Sequence, residues 1–233
     1  MALFYVPDIA DRWELSEEEA AHCLRVLRLS IGDSLEITDG KGMLYKAVIS
    51  SIAGKHCYVE AKETIAMPKN WRGNIHIAIA PTKNMDRIEW LAEKATEIGI
   101  DAITFLNCRF SERKVIKTER VERIVVSAMK QSLKYTKPVV GEMVDFKKFI
   151  SMPHNGAKFI AHCYESERLL LKDVLRDGED ATILIGPEGD FSPEEVELAI
   201  AAGFRPVSLG SSRLRTETAG LAACHTYILK NEI

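Results

Sequence analysis

The chain has 233 residues, 46% of them hydrophobic and 28% charged, with a net charge of −3 at pH 7. This is the composition of an ordinary soluble globular protein; it excludes a disordered polyelectrolyte, a collagen-like repeat and a disulfide scaffold. The length suits one large domain or two small ones, with a core that needs neither disulfides nor a structural metal, and the whole-chain charge argues against a nucleic-acid partner.

Residues 1–70 read as β-rich. Strands are predicted at Leu3–Val6, Ser34–Thr38, Leu44–Ile52 and His56–Ile65, with turns at Asp39-Gly40-Lys41-Gly42 and Ala53-Gly54-Lys55. One helix interrupts them. Ser16 caps it, Glu19 completes an S-x-x-E box, and Ala20, Cys23, Leu24 and Leu27 form its apolar face. Several short strands and one helix in this span suggest a small barrel. Met67–Asn74, with its proline and glycine, reads as a linker.

From Ile75 the pattern alternates strand and helix. Strands are predicted at Ile75–Ala80, Ala102–Leu106, Lys158–His162, Ala181–Ile185 and Pro206–Leu209. Helices are predicted on the faces Ile88-Leu91-Ala92-Ala95-Ile98 (stopped by Gly99) and Val121-Ile124-Val125-Ala128-Met129, then near Leu169–Leu175, Pro193–Ala202 and Thr218–Lys230. The expected fold class is α/β, a mainly parallel sheet with helices on both faces and binding sites beyond the carboxyl ends of its strands.

No apolar run approaches the roughly 20 residues of a membrane span, and Met1–Asp8 lacks the basic flank of a signal peptide. No membrane association is expected. Five widely spaced cysteines suit a reducing cytoplasm. Four adjoin histidines (His22-Cys23, His56-Cys57, His162-Cys163, Cys224-His225), but no close ligand pair occurs. They read as half-buried cysteines beside partly exposed histidines, with no metal.

Two loops should carry chemistry. In Ile185-Gly186-Pro187-Glu188-Gly189-Asp190-Phe191-Ser192-Pro193-Glu194-Glu195 a buried strand enters a glycine turn and a helix capped by Ser192 and Glu195. Its acids would repel phosphate, and it lacks the Lys-Ser/Thr of a phosphate loop. In Leu209–Gly220 another strand ends in a glycine turn carrying Arg213 and Arg215, with Thr216 or Thr218 able to cap the last helix. Either arginine could grip a phosphate or a base carbonyl. Between Arg109 and Lys137 nine basic residues face three acids, whereas Glu165–Glu197 holds eleven acids and three bases. The basic block, with Arg109, Arg113, Lys130 and Lys134, reads either as a solvated face or as a track for nucleic-acid phosphates.

These motifs resemble, over the whole length, the 16S ribosomal RNA uracil-N3 methyltransferases of the knotted SPOUT class. The resemblance rests on His22-Cys23-Leu24-Arg25-Val26-Leu27-Arg28, Gly32-Asp33, Asp39-Gly40, Ala80-Pro81-Thr82-Lys83, Glu93–Gly99, Ala128–Ser132, Gly186-Pro187-Glu188-Gly189 and Leu214-Arg215-Thr216-Glu217-Thr218-Ala219. Asp190 stands where glycine is common, and Ser212-Arg213 displaces an arginine by one place. Asp tolerates the left-handed backbone that such a loop needs.

The resemblance implies a PUA-like, RNA-binding barrel at 1–70 and a SPOUT methyltransferase domain with a trefoil knot at 74–233. It also implies a homodimer, S-adenosylmethionine as cofactor, and 16S ribosomal RNA or the small ribosomal subunit as partner. Ile185, Gly186, Pro187, Glu188, Gly189, Leu209, Gly210, Leu214 and Thr216 would hold the cofactor, and Arg25 and Arg28 would join the RNA contacts. For methylation at N3 of a specific uridine, Arg215 would stabilise the developing uracil anion or grip a phosphate. Glu217 would act as base, orient Arg215 or meet the last helix's amides. The target base must be unpaired or pulled from its stack. The alternatives are a ribose 2′-O-methyltransferase of the same class and a non-catalytic RNA-binding assembly protein.

Overall fold

A computed structural model describes residues 2–164 and 168–233. Met1, and Glu165 and Glu167 of the acidic block, lie outside the described residues. Two compact units emerge: Met1–Lys69 with Val126–Lys137, and Asn70–Val125 with Pro138–Ile233.

In the first unit, β1 (Leu3–Tyr5), β2 (Ser34–Thr38), β3 (Met43–Ala53) and β4 (His56–Ala66) form a sheet in that order. β1 pairs parallel with β2, and the other pairs are antiparallel. A short helix, α1 (Ile9–Arg12), carries the chain from β1 to Trp13–Leu15, which hydrogen-bonds along the far edge, β4. The two sheet edges are therefore joined through one stretch of chain, around a core that includes Phe4, Leu35, Ile37, Ile49 and Val59. Bulges near Lys46/Ala47 and Ile49/Ser51 bend the long β3–β4 pair.

The helix capped by Ser16 departs from expectation. α2 (Glu17–Ala21) continues as a π-helical turn over His22–Val26, where Leu27 N–H bonds the carbonyl of His22. The wider turn rotates Leu27 out of the apolar face, leaving it 38% exposed beside Val26 at 65%. Only half of the capping box forms. Ser16 accepts from Glu19 N–H, but the Glu19 carboxylate accepts instead from Tyr5 N–H (3.2 Å) and Lys130 Nζ (2.5 Å).

The second unit is built on a seven-stranded, wholly parallel sheet. In chain order its elements are β5 (Ile75–Ile79), α3 (Met85–Ile98), β6 (Ala102–Asn107), α4 (Thr118–Gln131), β7 (Val139–Asp145), α5 (Phe146–Ile150), β8 (Ala157–Ala161), β9 (Leu169–Leu170), α6 (Leu171–Val174), β10 (Ala181–Ile185), α7 (Pro193–Ala201), β11 (Arg205–Ser208) and α8 (Thr216–Asn231). α4 starts here and ends in the other unit. The spatial order is β7-β6-β5-β10-β8-β11-β9. Alternate residues feed two cores. Ile75, Ile77, Ile79 and Ile183 pack with α3 and α8, whereas Ala78, Ile160 and Leu184 pack with Phe146, Phe149 and Phe191 on the other face. Burial on both faces is what makes these strands continuous apolar runs.

Three expectations need correction here. The Met67–Asn74 stretch is no free linker: Trp71 is buried, bridges Glu232 and donates its indole N–H to Asp101. The helix predicted near Leu169–Leu175 is a two-residue strand followed by one turn, with Leu169 and Leu170 exposed. β7 and α5 were not expected, because an edge strand with no fully buried residue gives no clear alternation. Among the described residues no helix is long and apolar enough to cross a membrane.

Candidate active site

β10, β8 and β11 are neighbours in the sheet, and each runs directly into a turn at its carboxyl end. The three turns enclose a two-lobed cavity. Lobes of about 390 and 580 Å³ share Ala161, Cys163, Gly189, Asp190, Arg213 and Leu214. Cavities of this size hold small molecules, and the carboxyl end of a parallel sheet is where such ligands bind. Ile185, Gly186, Pro187, Glu188, Arg215, Thr216 and Glu217 line the first lobe, Leu209 and Gly210 the second, and Gly189 and Leu214 both.

Local sequence explains the shape of the walls. A Cβ on Gly186 would stand 3.1 Å from both the ring and the amide nitrogen of Phe191, so a side chain there would push against Phe191 and crowd the turn. Gly210 has φ +130°, a conformation that side chains resist. Asp190 adopts φ +66°, as its tolerance for the left-handed region suggested. Its carboxylate accepts from Cys163 N–H (2.7 Å) and Phe191 N–H (2.8 Å), tying the β8 and β10 turns together. Ser192 and Glu195 form the full expected capping box on α7, and the second Glu195 oxygen accepts from Arg109 N–H at 2.8 Å.

The third turn differs from expectation. Neither threonine caps α8: Arg215 occupies the N-cap position and makes no side-chain cap. Glu217, in the first helical turn, is only 8% exposed. Its Oε1 accepts from Arg87 Nη1 of α3 at 3.3 Å, so it pairs with neither Arg215 nor the helix amides. Its Oε2 is buried without a hydrogen-bond partner. Arg215 is exposed at the cavity and pairs with no carboxylate among the described residues.

His162 ends β8 and lines the second lobe. It is 6% exposed, and neither ring nitrogen has a partner. Burial, and then the nearby Arg168, push its pKa below the usual histidine value, against an opposing pull from Asp190. This reverses the expected His-Cys pattern: His162 is buried, and Cys163 is exposed in the cavity. The sequence reading missed both Arg87 and His162 as site residues. Arg87 carries no motif signal, and His162 was grouped with the other His-Cys neighbours.

The basic block is less open than its charge suggests. Arg109 pairs with Glu194 (3.3 Å), and Arg120 with Glu89 (2.7 Å). Arg113 donates to the carbonyls of Thr82 and Lys83. In the first unit the Lys130 side chain is only 24% exposed, in its ion pair with Glu19, and Lys134 is half-buried. Arg25 and Arg28 are exposed, and Arg28 has φ +57°. Within the second unit, Arg109, Arg113 and Arg120 are not among the residues that line the cavity. Among the described residues no cluster could hold a metal.

A parallel α/β sheet with a polar cleft at its carboxyl ends defines an enzyme-like binding fold. Residues 69–228 match the family described as the RNA methyltransferase domain, and residues 15–62 match the RNA methyltransferase PUA domain. The chain belongs to this family of RNA methyltransferases, and its resemblance to the SPOUT-class ribosomal RNA enzymes holds. It is similar to the ribosomal RNA small subunit methyltransferase E of Rickettsia conorii, at 29% identity over 90% of this chain and 86% of that protein. A crystal structure of a probable rRNA-methyltransferase from Porphyromonas gingivalis superposes with a TM-score of 0.92, at 49% identity over 98% of this chain and 99% of that one. The Neisseria gonorrhoeae ribosomal RNA small subunit methyltransferase E, solved bound to S-adenosylmethionine, gives 0.81 at 28% identity over 96% and 95%.

Proposed function

We propose that this protein methylates N3 of a specific uridine in small-subunit (16S) ribosomal RNA, with S-adenosylmethionine as methyl donor. The observation that carries the reading is the pair of groups in the first lobe: a buried carboxylate with a free oxygen, Glu217, and an unpaired guanidinium, Arg215. Uracil N3 keeps its proton at neutral pH. Its methylation therefore needs a group to take that proton and a cation to steady the charge that builds on the base.

The cleft suits the donor. Gly186, Gly189 and Gly210 leave parts of its wall as bare backbone that a flat adenine can approach closely, and the lining mixes carboxylates (Glu188, Asp190, Glu217) with arginines (Arg87, Arg168, Arg213, Arg215). Ile185–Gly189, Leu209, Gly210, Leu214 and Thr216 would hold the cofactor, which supplies a methyl group on a sulfonium that leaves as a neutral thioether. Arg215 faces the uracil oxygen where negative charge develops. Glu217 receives the N3 proton on Oε2. Alignment of the reacting groups by the turns would supply much of the acceleration.

In this reading residues 1–70 form a PUA-like domain that holds RNA through Arg25 and Arg28, and residues 74–233 form the SPOUT domain with its trefoil knot. Arg109, Arg113, Lys130 and Lys134 add to the RNA contacts only where their present pairings open. The enzyme works as a cytoplasmic homodimer, and all five cysteines are free, as a reducing compartment requires.

Nucleoside analysis of ribosomal RNA from cells lacking the gene tests this reading. Loss of 3-methyluridine from the small-subunit RNA is the expected result. Loss of a 2′-O-methylnucleoside identifies the ribose enzyme instead, and an unchanged nucleoside profile leaves the assembly-protein reading.

A further inference from the structure

We infer that Arg87, on α3, is a positioning residue that aims the Glu217 carboxylate at the N3 proton; this inference rests on the N3-methylation reading above. Glu217 is nearly buried, yet only one of its two oxygens has a partner. That partner is Arg87 Nη1, at 3.3 Å. The guanidinium side chain is 37% exposed against 11% for the carboxylate, so the pair sits at the cleft wall with Arg87 on the solvent side. A carboxylate buried without partners is expensive, and one ionic hydrogen bond to Oε1 offsets part of that penalty. It also restrains the rotation of the carboxylate, while Oε2 is left buried without a hydrogen-bond partner.

α3 and α8 pack closely against each other and against the same sheet face, so the donor and the acceptor stand on rigid elements. Arg87 is the third residue of α3, within a first turn whose start is fixed by Asn84 accepting from Asp86 N–H. A proton acceptor must lie within hydrogen-bond reach of its proton, and small misplacements are heavily penalised. In the step that Arg87 supports, the N3–H bond breaks and the proton bonds to Glu217 Oε2. The N3 electron pair takes the methyl carbon, and the sulfur keeps the pair of the broken carbon–sulfur bond. Charge balances: a sulfonium and a carboxylate become a thioether and a carboxylic acid.

The test compares Arg87→Met and Arg87→Lys with the native enzyme in single turnover on small-subunit RNA, with 3-methyluridine as product and with Kd measured separately for S-adenosylmethionine and for RNA. Arg87→Met is expected to slow the chemical step on the order of 100-fold, with both Kd values within about twofold and most of the rate restored by Arg87→Lys. On a Glu217→Gln background, Arg87→Met is expected to cause no further loss. A native rate in Arg87→Met, a loss that appears wholly in either Kd, no rescue by lysine, or a further loss on the Glu217→Gln background each overturns the inference. If the native enzyme itself forms no 3-methyluridine, the underlying reading fails instead.

Discussion

The two ends of the parallel sheet each carry a cavity, and the polar groups that line them are satisfied to different degrees. At the amino ends of β5, β6 and β10 lies a cavity of about 730 Å³. Its polar groups are largely spoken for by each other. Asn74 bonds Asp180, Asp101 accepts from Trp71 and Ile75, His76 and Thr104 sit 2.8 Å apart, and His154 bonds the Phe149 carbonyl. At the carboxyl ends, by contrast, Glu217 Oε2 and both His162 nitrogens are buried and unpaired. Folding normally pairs such groups, so unpaired buried atoms on residues that line a cavity are candidates for contact with a ligand. Among the described residues that line the cavities, such unpaired atoms occur at the carboxyl end and not at the amino end.

Substitutions at the two ends should therefore behave differently. The largest effect is expected for Glu217→Gln, which removes the proton acceptor and should lower the methylation rate by about 10²–10⁴-fold. Single-turnover assays check it, with S-adenosylmethionine affinity nearly unchanged. Arg215→Ala comes next, with a loss of about 10²–10³-fold if the guanidinium stabilises the uracil anion. Retention of near-normal rate in a variant that still binds cofactor and RNA would remove Arg215 from the mechanism.

Asp190→Ala should have an intermediate effect. It forces alanine into a left-handed conformation and strips the acceptor from two amides, a loss of about 1–3 kcal/mol. Calorimetry should show S-adenosylmethionine bound on the order of tenfold more weakly, with a lowered unfolding temperature. Asp190→Asn, which keeps both the backbone tolerance and one acceptor, should recover most of each.

The smallest effect on activity is expected at the other end. His76→Gln keeps a partner for Thr104 and should leave methylation within about twofold. It should instead change the response to acid. Burial first, and then His154, hold the His76 pKa down at about 4 from the ordinary 6.5. Between those values the unfolded chain binds more protons, so stability rises with pH through this window and is complete above it. Acidification toward pH 4 should remove up to about 3 kcal/mol, a loss that His76→Gln abolishes. Urea unfolding at pH 7.5 and pH 4.5 reads the difference.

Much of this contrast was legible in the sequence where local rules dominate. The apolar runs of β5 and β10, the Ser192–Glu195 box and the two glycine turns are set by residues close together in the chain. Asp190 in a left-handed turn was also readable, because few residues tolerate that backbone. What local pattern could not supply were partners far apart in sequence. Glu19 abandoned its box for Lys130, 111 residues away. Glu217 took Arg87, 130 residues away, rather than its neighbour Arg215. The same limit applies to charge. Arg109, in the basic block, is bound by Glu194 and Glu195 of the acidic block, so the two blocks partly neutralise each other in space. Neither the net charge of −3 nor the block count describes the surface that RNA would meet.

The most direct test is nucleoside mass spectrometry of small-subunit ribosomal RNA after incubation with the purified protein and methyl-labelled S-adenosylmethionine. The expected result is label in 3-methyluridine at one position with the native protein, and almost none with Glu217→Gln. Label in a 2′-O-methylnucleoside, or equal labelling by both proteins, would contradict a carboxyl-end site built around a buried proton acceptor.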